Sequence, residues 1–468
     1  MKISTLTSSD SLVDINPIER LPLTRLHWFW LGLAALAWLM ESYDIGLTGV
    51  TLAPLQHLWH LTGSEVGLVA TAATLGVALG VLPAGWLSDK VGRKRVMVWA
   101  LIEYSCGSMA TAMVPNGEWF LVLRLVTGLG LGAMFPLPYT MITELSPLHS
   151  RGRMTGMLDA ALSVGYFMAP LAALVTTHLA SGALTWRILF LLGGSGLVVA
   201  VLVSKYLPES PRWLALNGRD SEAQSIVHRL ATESPVSSRS TIGSDPATHR
   251  GGQEQALVTG GIFGRRYRRR TAMLWVGFPA ILLMFYAIMT FMPMILTREG
   301  LPIGSVDVLA AIIMGASVPG KWAESWLVEK VGRKPVIVGF SLMAALAAVL
   351  FPLMHGMVQW LAIGLALSFF GIAVDPAMKV YAAEQYPTEI RGVGVGFAEG
   401  WARLIGGALA PYILGVWLTR GGIALSFEFV AGVTALGALV VLVMGQETRG
   451  CSIESRPHKE FAAILAKN

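Results

Sequence analysis

Charged residues punctuate the apolar stretches of this chain, and their spacing is regular. Lys321 and Glu324 stand three apart; Asp375 and Lys379, and Glu399 and Arg403, stand four apart. On a helix each pair shares one face and joins opposite charges, so each can neutralise itself. Glu41 and Asp44 fall in one apolar run, Arg124 early in another and Asp159 in a third. Such groups in apolar surroundings can hold an ion or carry a proton. A carboxylate beside an arginine stays ionised; moved away into an apolar site, it takes a proton. No nucleophile–base set and no metal-ligand spacing accompanies these residues. Neither an enzyme nor a metal or cofactor site is therefore expected. Cys106 and Cys451 lie too far apart in sequence to make a disulfide framework. Gly128, Gly130 and Gly132 follow no strand, so they are not a phosphate loop; they let one helix approach another closely.

Membrane helices are the elements that position these charges. The chain has 468 residues, 54% hydrophobic and 14% charged, where a soluble protein carries about a quarter charged residues. Its mean hydropathy is +0.60 and its isoelectric point about 9.3. About a dozen runs approach the roughly 20 apolar residues that a spanning helix needs. They cover 27–51, 64–84, 96–114, 119–144, 153–178 and 186–206, then 272–297, 304–328, 336–355, 358–384, 392–419 and 423–445. A charge at the bilayer centre costs at least about 2.5–3.5 kcal/mol, so the charges inside these runs are functional candidates.

The basic residues cluster in alternate connections: Lys90, Arg93, Lys94 and Arg95; Arg151 and Arg153; Lys330, Arg333 and Lys334; and Arg391. This pattern accounts for the basic balance better than a nucleic-acid partner does, and it puts those connections and both termini in the cytoplasm. The layout is a cytoplasmic segment 1–26 without a cleavable signal peptide, a six-helix half 27–206, a linker 207–270, a second half 271–445 and a tail 446–468. The linker is rich in Ser, Thr, Gly and Arg and ends in Arg265, Arg266, Arg268, Arg269 and Arg270. It reads as flexible, with a membrane-surface anchor at its end.

The two halves repeat one another. Gly85-Trp86-Leu87-Ser88-Asp89-Lys90-Val91-Gly92-Arg93-Lys94 returns as Ser325-Trp326-Leu327-Val328-Glu329-Lys330-Val331-Gly332-Arg333-Lys334, a shift of 240 positions (325 minus 85). Glu144 and Arg151 return at the same shift as Glu384 and Arg391, and Asp159 returns as Glu399. Glu209 after the sixth run is echoed by Glu447 after the twelfth. Each half thus supplies one set of charges for the cytoplasmic face: Asp89, Arg93, Glu144, Arg151 and Glu209, then Glu329, Arg333, Glu384, Arg391 and Glu447. These residues can pair across that face and latch it shut, or they can serve only topology and packing.

Over nearly its whole length the chain resembles the major facilitator superfamily. Gly85–Lys94 matches that superfamily's loop between the second and third helices. Tyr206-Leu207-Pro208-Glu209-Ser210-Pro211-Arg212-Trp213-Leu214 is similar to the mark of its sugar-porter-like branch. Glu384-Gln385-Tyr386-Pro387-Thr388-Glu389-Ile390-Arg391-Gly392 looks closest to the branch of niacin-type, organic-acid and synaptic-vesicle-like transporters. The resemblance implies an all-α membrane protein of about twelve transmembrane helices in two pseudo-symmetric six-helix halves. A lipid-embedded bacterial inner-membrane monomer without cofactor, working by alternating access, is expected. Asp44 matches the first-helix Asp that carries the proton in bacterial proton–sugar symporters, and Arg124 the fourth-helix Arg that controls it. Glu41, one turn earlier, belongs with them.

Asp159 and Lys379 fall at spacings where the symporters line the cavity with uncharged residues, and Met284-Phe285-Tyr286-Ala287 replaces their paired Gln motif. Both departures favour a small charged metabolite over a sugar. Lys379 or Arg403 would hold a carboxylate, while Asp159 and Asp375 leave room for an amine. Lys321 and Glu399 complete the candidate substrate site, and Tyr286 and Trp401 can line it. Trp28, Trp30, Tyr139 and Trp417 read as interface or packing residues. The expected function is proton-coupled import of an organic acid or amino-acid-like compound. A proton-antiporting exporter is the alternative; it is weakened because Gly165 and Pro170 are not adjacent in the fifth helix. A transporter-like sensor is disfavoured by the complete set of face charges.

Overall fold

The structure is a computed structural model. It describes residues 21–147, 150–179, 183–233, 261–265, 267–298, 303–386, 388–420 and 422–449, together with Ile18 and Leu301. Among these, twelve long helices form two sets of six, and there is no strand. The first set is α1 Arg25–Trp59, α2 Gly63–Val91, α3 Arg93–Thr111, α4 Gly117–Leu145, α5 Arg151–Leu179 and α6 Leu184–Tyr206. The second is α7 Arg268–Arg298, α8 Ser305–Lys330, α9 Arg333–Leu353, α10 Met357–Glu384, α11 Val393–Leu418 and α12 Gly422–Met444.

Ten of the described helices are long and apolar enough to cross a membrane. The other two, α1 and α3, carry polar sequence: Glu41 and Asp44 in α1, and Arg93, Lys94, Arg95 and Glu103 in α3. Protein surrounds the charges of α1, because Trp30, Trp38, Glu41 and Asp44 are all buried. Outward-facing Val198, Val201 and Leu442 are exposed, as expected for side chains facing lipid.

Local sequence sets the helix starts. Thr62 and Glu65 form a capping box on α2: the Thr62 amide donates to Glu65 Oε2 at 2.7 Å, and the Glu65 amide donates to Thr62 Oγ1 at 3.4 Å. Asn116 caps α4 through the Trp119 amide at 3.1 Å. Gly92 and Gly332, at φ of 113° and 120°, turn the chain sharply into α3 and α9. Side chains rarely adopt that conformation. Three π-helical segments interrupt the second set: Ala287–Phe291 in α7, Ser368–Ile372 in α10 and Arg403–Leu409 in α11. Each lies beside a candidate site residue (Tyr286, Asp375 or Arg403), and such segments commonly mark functional positions.

The halves meet towards the end away from the duplicated loops. Thr71 donates to the Ala408 carbonyl at 3.0 Å. The Tyr166 and Phe285 rings pack edge to face at 5.3 Å. Gly49 brings α1 so close to α7 that a Cβ there would collide with the Met289 carbonyl.

The expectation of a flexible linker fails for its first part. Pro211–Leu216 and Asp220–Thr232 are helices, and Ala223, Ile226 and Leu230 bury the inner face of the second. Beyond it, Glu233 accepts the Leu26 amide at 3.2 Å, tying the segment to the start of α1. The period-3.6 apolar pattern at 223, 226 and 230 was readable, but its short length hid it among polar neighbours. The terminal arginines also have structural tasks: Arg269 donates to the Val443 carbonyl and Arg270 to the Gln385 carbonyl, each at 3.0 Å. Arg266, residues 234–260 and the tail from 450 lie outside the described residues.

Candidate transport site

The duplicated loops build the same constellation twice. At the first, both Glu209 carboxylate oxygens accept the Lys94 amide, at 3.1 and 3.2 Å. Arg93 pairs with Asp89 at 2.9 Å and approaches Glu144 at 3.8 Å, while the Ser210 hydroxyl also donates to Glu144. At the second, Glu447 accepts the Arg333 and Lys334 amides, both at 3.0 Å, Arg333 pairs with Glu384 at 3.1 Å, and the Thr448 hydroxyl donates to Glu384. A carboxylate on the free amides of a helix start meets both orphan donors and the positive end of the dipole. Burial pushes the Glu447 carboxyl up, but the amides of Arg449, Arg333, Lys334 and Thr448 outweigh this and hold it below the usual range.

The copies differ at one point. Asp89 pairs with its own Arg93, whereas exposed Glu329 forms no ion pair among the described residues and Arg333 turns to Glu384. Arg151 begins α5, and the Arg391 side chain lies outside the described residues. Among the described residues, no ion pair of the two sets crosses from one half to the other.

Deeper in the first half, Asp44 and Arg124 are fully buried and pair at 2.5 Å. Arg124 also donates to the Asp44 carbonyl and to Thr48 Oγ1, both at 3.2 Å, and lies 5.2 Å from the centre of the Phe190 ring. Glu41, one turn away, is fully buried with neither carboxyl oxygen partnered in the structure. Arg403, Lys379 and Asp44 are the charges it senses most strongly.

The central cluster spans the two halves. Lys321 donates to Asp159 at 2.8 Å, so it does not neutralise itself against Glu324, which instead accepts the Ser325 hydroxyl at 3.2 Å. The i,i+3 spacing allowed the local pair, but Asp159 of the opposite half offers a better-placed anion. Lys379 pairs with Asp375 at 2.8 Å and lies 3.8 Å from Asp159. Arg403 pairs with Glu399 at 2.8 Å, receives the Phe135 ring of the first half at 3.3 Å and lies 3.4 Å from the Tyr286 hydroxyl. Both i,i+4 pairs therefore form as spaced. Trp401 sits apart: its indole donates to the Trp275 carbonyl at 3.1 Å and stacks on Trp275 at 5.2 Å.

Sequence reasoning missed Tyr139 and Phe135. Tyr139 donates to Asp159 at 3.2 Å and packs against Trp38 at 4.7 Å. Phe135 is the turn that divides α4 and Tyr139 lies in the first turn of the helix after it, beside Pro136 and Pro138, and these prolines were the available signal.

The sequence profile of the Major Facilitator Superfamily matches residues 34–411 and 322–467. The chain belongs to the major facilitator superfamily. It is 31% identical to the niacin transporter NiaP of Acinetobacter baylyi over 94% of this chain and 99% of that protein. It is 28% identical to a gallate transporter of Pseudomonas putida over 93% and 96%. In structure it is similar to the inward open conformation of the xylose transporter XylE from E. coli, with a TM-score of 0.73, 20% identity and coverage of 92% and 98%. The chain is therefore a multi-pass integral membrane transporter of the major facilitator superfamily and not an enzyme.

Within that superfamily fold, exposure ranks the buried cations. The Lys379 side chain is 14% exposed, against 5% for Lys321 and 3% for Arg403. Lys379 is thus the most exposed of the three, although it too is paired, with Asp375 and more loosely with Asp159.

Proposed function

We propose that this protein imports a small monocarboxylic acid with an aromatic or heteroaromatic ring, coupled to inward proton movement, by alternating access. The observation that carries the reading is Lys379: a nearly buried cation, the most open of its cluster, shared between Asp375 of its own helix and Asp159 of the other half. It offers a charge-assisted hydrogen bond to a carboxylate. Phe135, Tyr139 and Tyr286 supply ring surface nearby. Relatives named for niacin and gallate transport support a ring-bearing acid. Asp44 and Arg124 form the proton-coupling pair, whose separation in another conformation would free the carboxylate to take a proton. Both termini and the duplicated loops lie in the cytoplasm, where the two charge sets stay within their halves while that face is open and engage when it closes.

Purified protein in liposomes tests this directly. With an inward proton gradient, labelled nicotinate or benzoate is expected to accumulate above the level of protein-free vesicles. Uptake driven instead by an outward-directed proton gradient would make the protein a proton-antiporting exporter. Absence of any carboxylate flux would remove the substrate assignment.

A further inference from the structure

The cluster at the centre is electrically closed. Asp159, Lys321, Asp375 and Lys379 carry two negative and two positive charges, and the links at 2.8, 2.8 and 3.8 Å join them into one unit. The side chains of Asp159, Lys321 and Asp375 are no more than 5% exposed, so the unit has little access to water or counterions. A monoanionic substrate that binds Lys379 leaves such a unit with one unbalanced negative charge. In low-dielectric surroundings an uncompensated charge costs several kcal/mol. Balance returns when one carboxylate of the unit takes up a proton.

Asp159 and Asp375 are not equivalent candidates for that proton. Asp375 shares a helix with Lys379 at i,i+4 and moves with it. Asp159 comes from the other half and reaches Lys379 only at 3.8 Å, so it is the anion that a substrate carboxylate replaces. Its surroundings are set by several helices. Tyr139 of α4 donates to it. Lys321 and Glu324 face it from α8, Lys379 and Asp375 from α10, and the Glu399–Arg403 pair from α11. On α1, Glu41 lies within electrostatic reach of Lys379 and Arg403 without bonding to either. Tyr139 is the one of these partners that needs only a turn of its hydroxyl to serve a protonated Asp159, because a hydroxyl both donates and accepts.

We propose that Asp159 is the resident stand-in for the substrate's carboxylate, and that the substrate displaces it from Lys379 as Asp159 takes one proton from solution. The step is balanced: one carboxylate leaves the ammonium, another enters, and one proton moves from water to an Asp159 oxygen. This proton is separate from that of the Asp44–Arg124 pair. The inference rests on the carboxylate reading above.

The test measures proton uptake on adding nicotinate or benzoate to the purified full-length protein in weakly buffered solution, together with affinity against pH. Wild type is expected to take up about one proton per ligand and, over the pH range where it does so, to weaken about tenfold per unit rise in pH. Asp159→Asn is expected to bind without proton uptake and with affinity flat in pH. Asp44→Asn is expected to keep the uptake. Should Asp159→Asn fail to fold, infrared difference spectra of wild type with and without ligand serve instead, where a new protonated-carboxyl band supports the proposal and its absence overturns it. Undiminished uptake in Asp159→Asn, or loss in Asp44→Asn alone, overturns the proposal and leaves the carboxylate reading standing. Failure of wild type to bind any carboxylate overturns both.

Discussion

Removal of the Lys379 ammonium separates the two roles proposed for it, holding the bundle and holding the substrate. In Lys379→Met, Asp159 keeps Lys321 at 2.8 Å, so only Asp375 loses its close cation. Stranding one partner of a buried ion pair costs about 3–5 kcal/mol, so the single variant is expected to melt well below wild type. Adding Asp375→Asn removes the stranded charge, and the double variant recovers most of the loss, because replacing both partners of a buried pair is close to neutral. Binding is expected to behave differently. A hydrogen bond to a charged group contributes about 1.5–3 kcal/mol, equivalent to roughly 10- to 150-fold in Kd. That loss stays in the double variant, since the ammonium is still missing. Thermal unfolding and calorimetric titration with nicotinate or benzoate read the two effects on the same samples. A double variant that binds either acid with wild-type Kd would refute the placement of the substrate carboxylate on Lys379, however stable the protein.

Other perturbations address the remaining parts. Asp44→Asn is expected to keep substrate exchange across liposome membranes while losing accumulation against a gradient; retained accumulation would take coupling away from Asp44. Gly332→Ala forces a side chain to φ of 120° with its Cβ 2.7 Å from a Glu447 carboxylate oxygen, which is expected to cost about 1–3 kcal/mol; Gly339→Ala, within α9 and with nothing inside 4 Å, is the control and is expected to leave the melting temperature unchanged or slightly raised. Because the folded-state pKa of Glu447 is lowered, its contribution to stability is complete above the unfolded carboxyl value of about 4.3 and is lost as pH falls through the folded value. Glu447→Gln should therefore flatten the acid side of a melting-temperature profile, and an unchanged profile would dismiss the amide cradle as a source of stability. A cysteine at Ser225 is expected to react with an impermeant thiol reagent only from the cytoplasmic side, and labelling of intact cells would reverse the assigned orientation.

Legibility followed the range of the interactions. Helix positions were readable because each span is a local property, and most starts and ends fall within a few residues of the apolar runs. The i,i+4 pairs Asp375–Lys379 and Glu399–Arg403 were readable for the same reason. Lys321 was not, because its partner lies 162 residues away in the other half. No spacing rule encodes a choice between a near acid on the same helix and a distant one across the interface. Tyr139 was read as packing, and its ring does pack on Trp38, but an aromatic residue within an apolar run carries no local sign of its hydroxyl's partner, Asp159. The duplicated loops gave the contents of the charge sets but not their closure: sequence symmetry is equally compatible with pairing within halves and between them, and only conformation distinguishes the two.

That conformation also assigns unequal work to the halves. At the loop face, every described ion pair of the two charge sets is internal to one half, so opening there breaks none of them. At mid-membrane the halves are joined by Asp159 to Lys321 at 2.8 Å and to Lys379 at 3.8 Å, and by Phe135 to Arg403. In the proposed rocking motion these links are kept or exchanged while the α1–α7 and α2–α11 contacts beyond them separate. The π-helical segments lie on α7, α10 and α11, next to Tyr286, Asp375 and Arg403, and the first half has none among the described residues. A π-helical segment leaves part of the helical ladder imperfectly bonded, which lowers the cost of local rearrangement. The second half therefore has the means to adjust around a ligand. Close glycine contacts occur in both halves: Gly76, Gly80, Gly128 and Gly132 draw α2 and α4 into backbone contact in the first, and Gly320 and Gly406 bring α8 to α10 and α11 to α7 in the second. Under the proposed mechanism the second half carries the segments able to rearrange around a bound substrate, and Asp159 is the charged group of the first half that meets it.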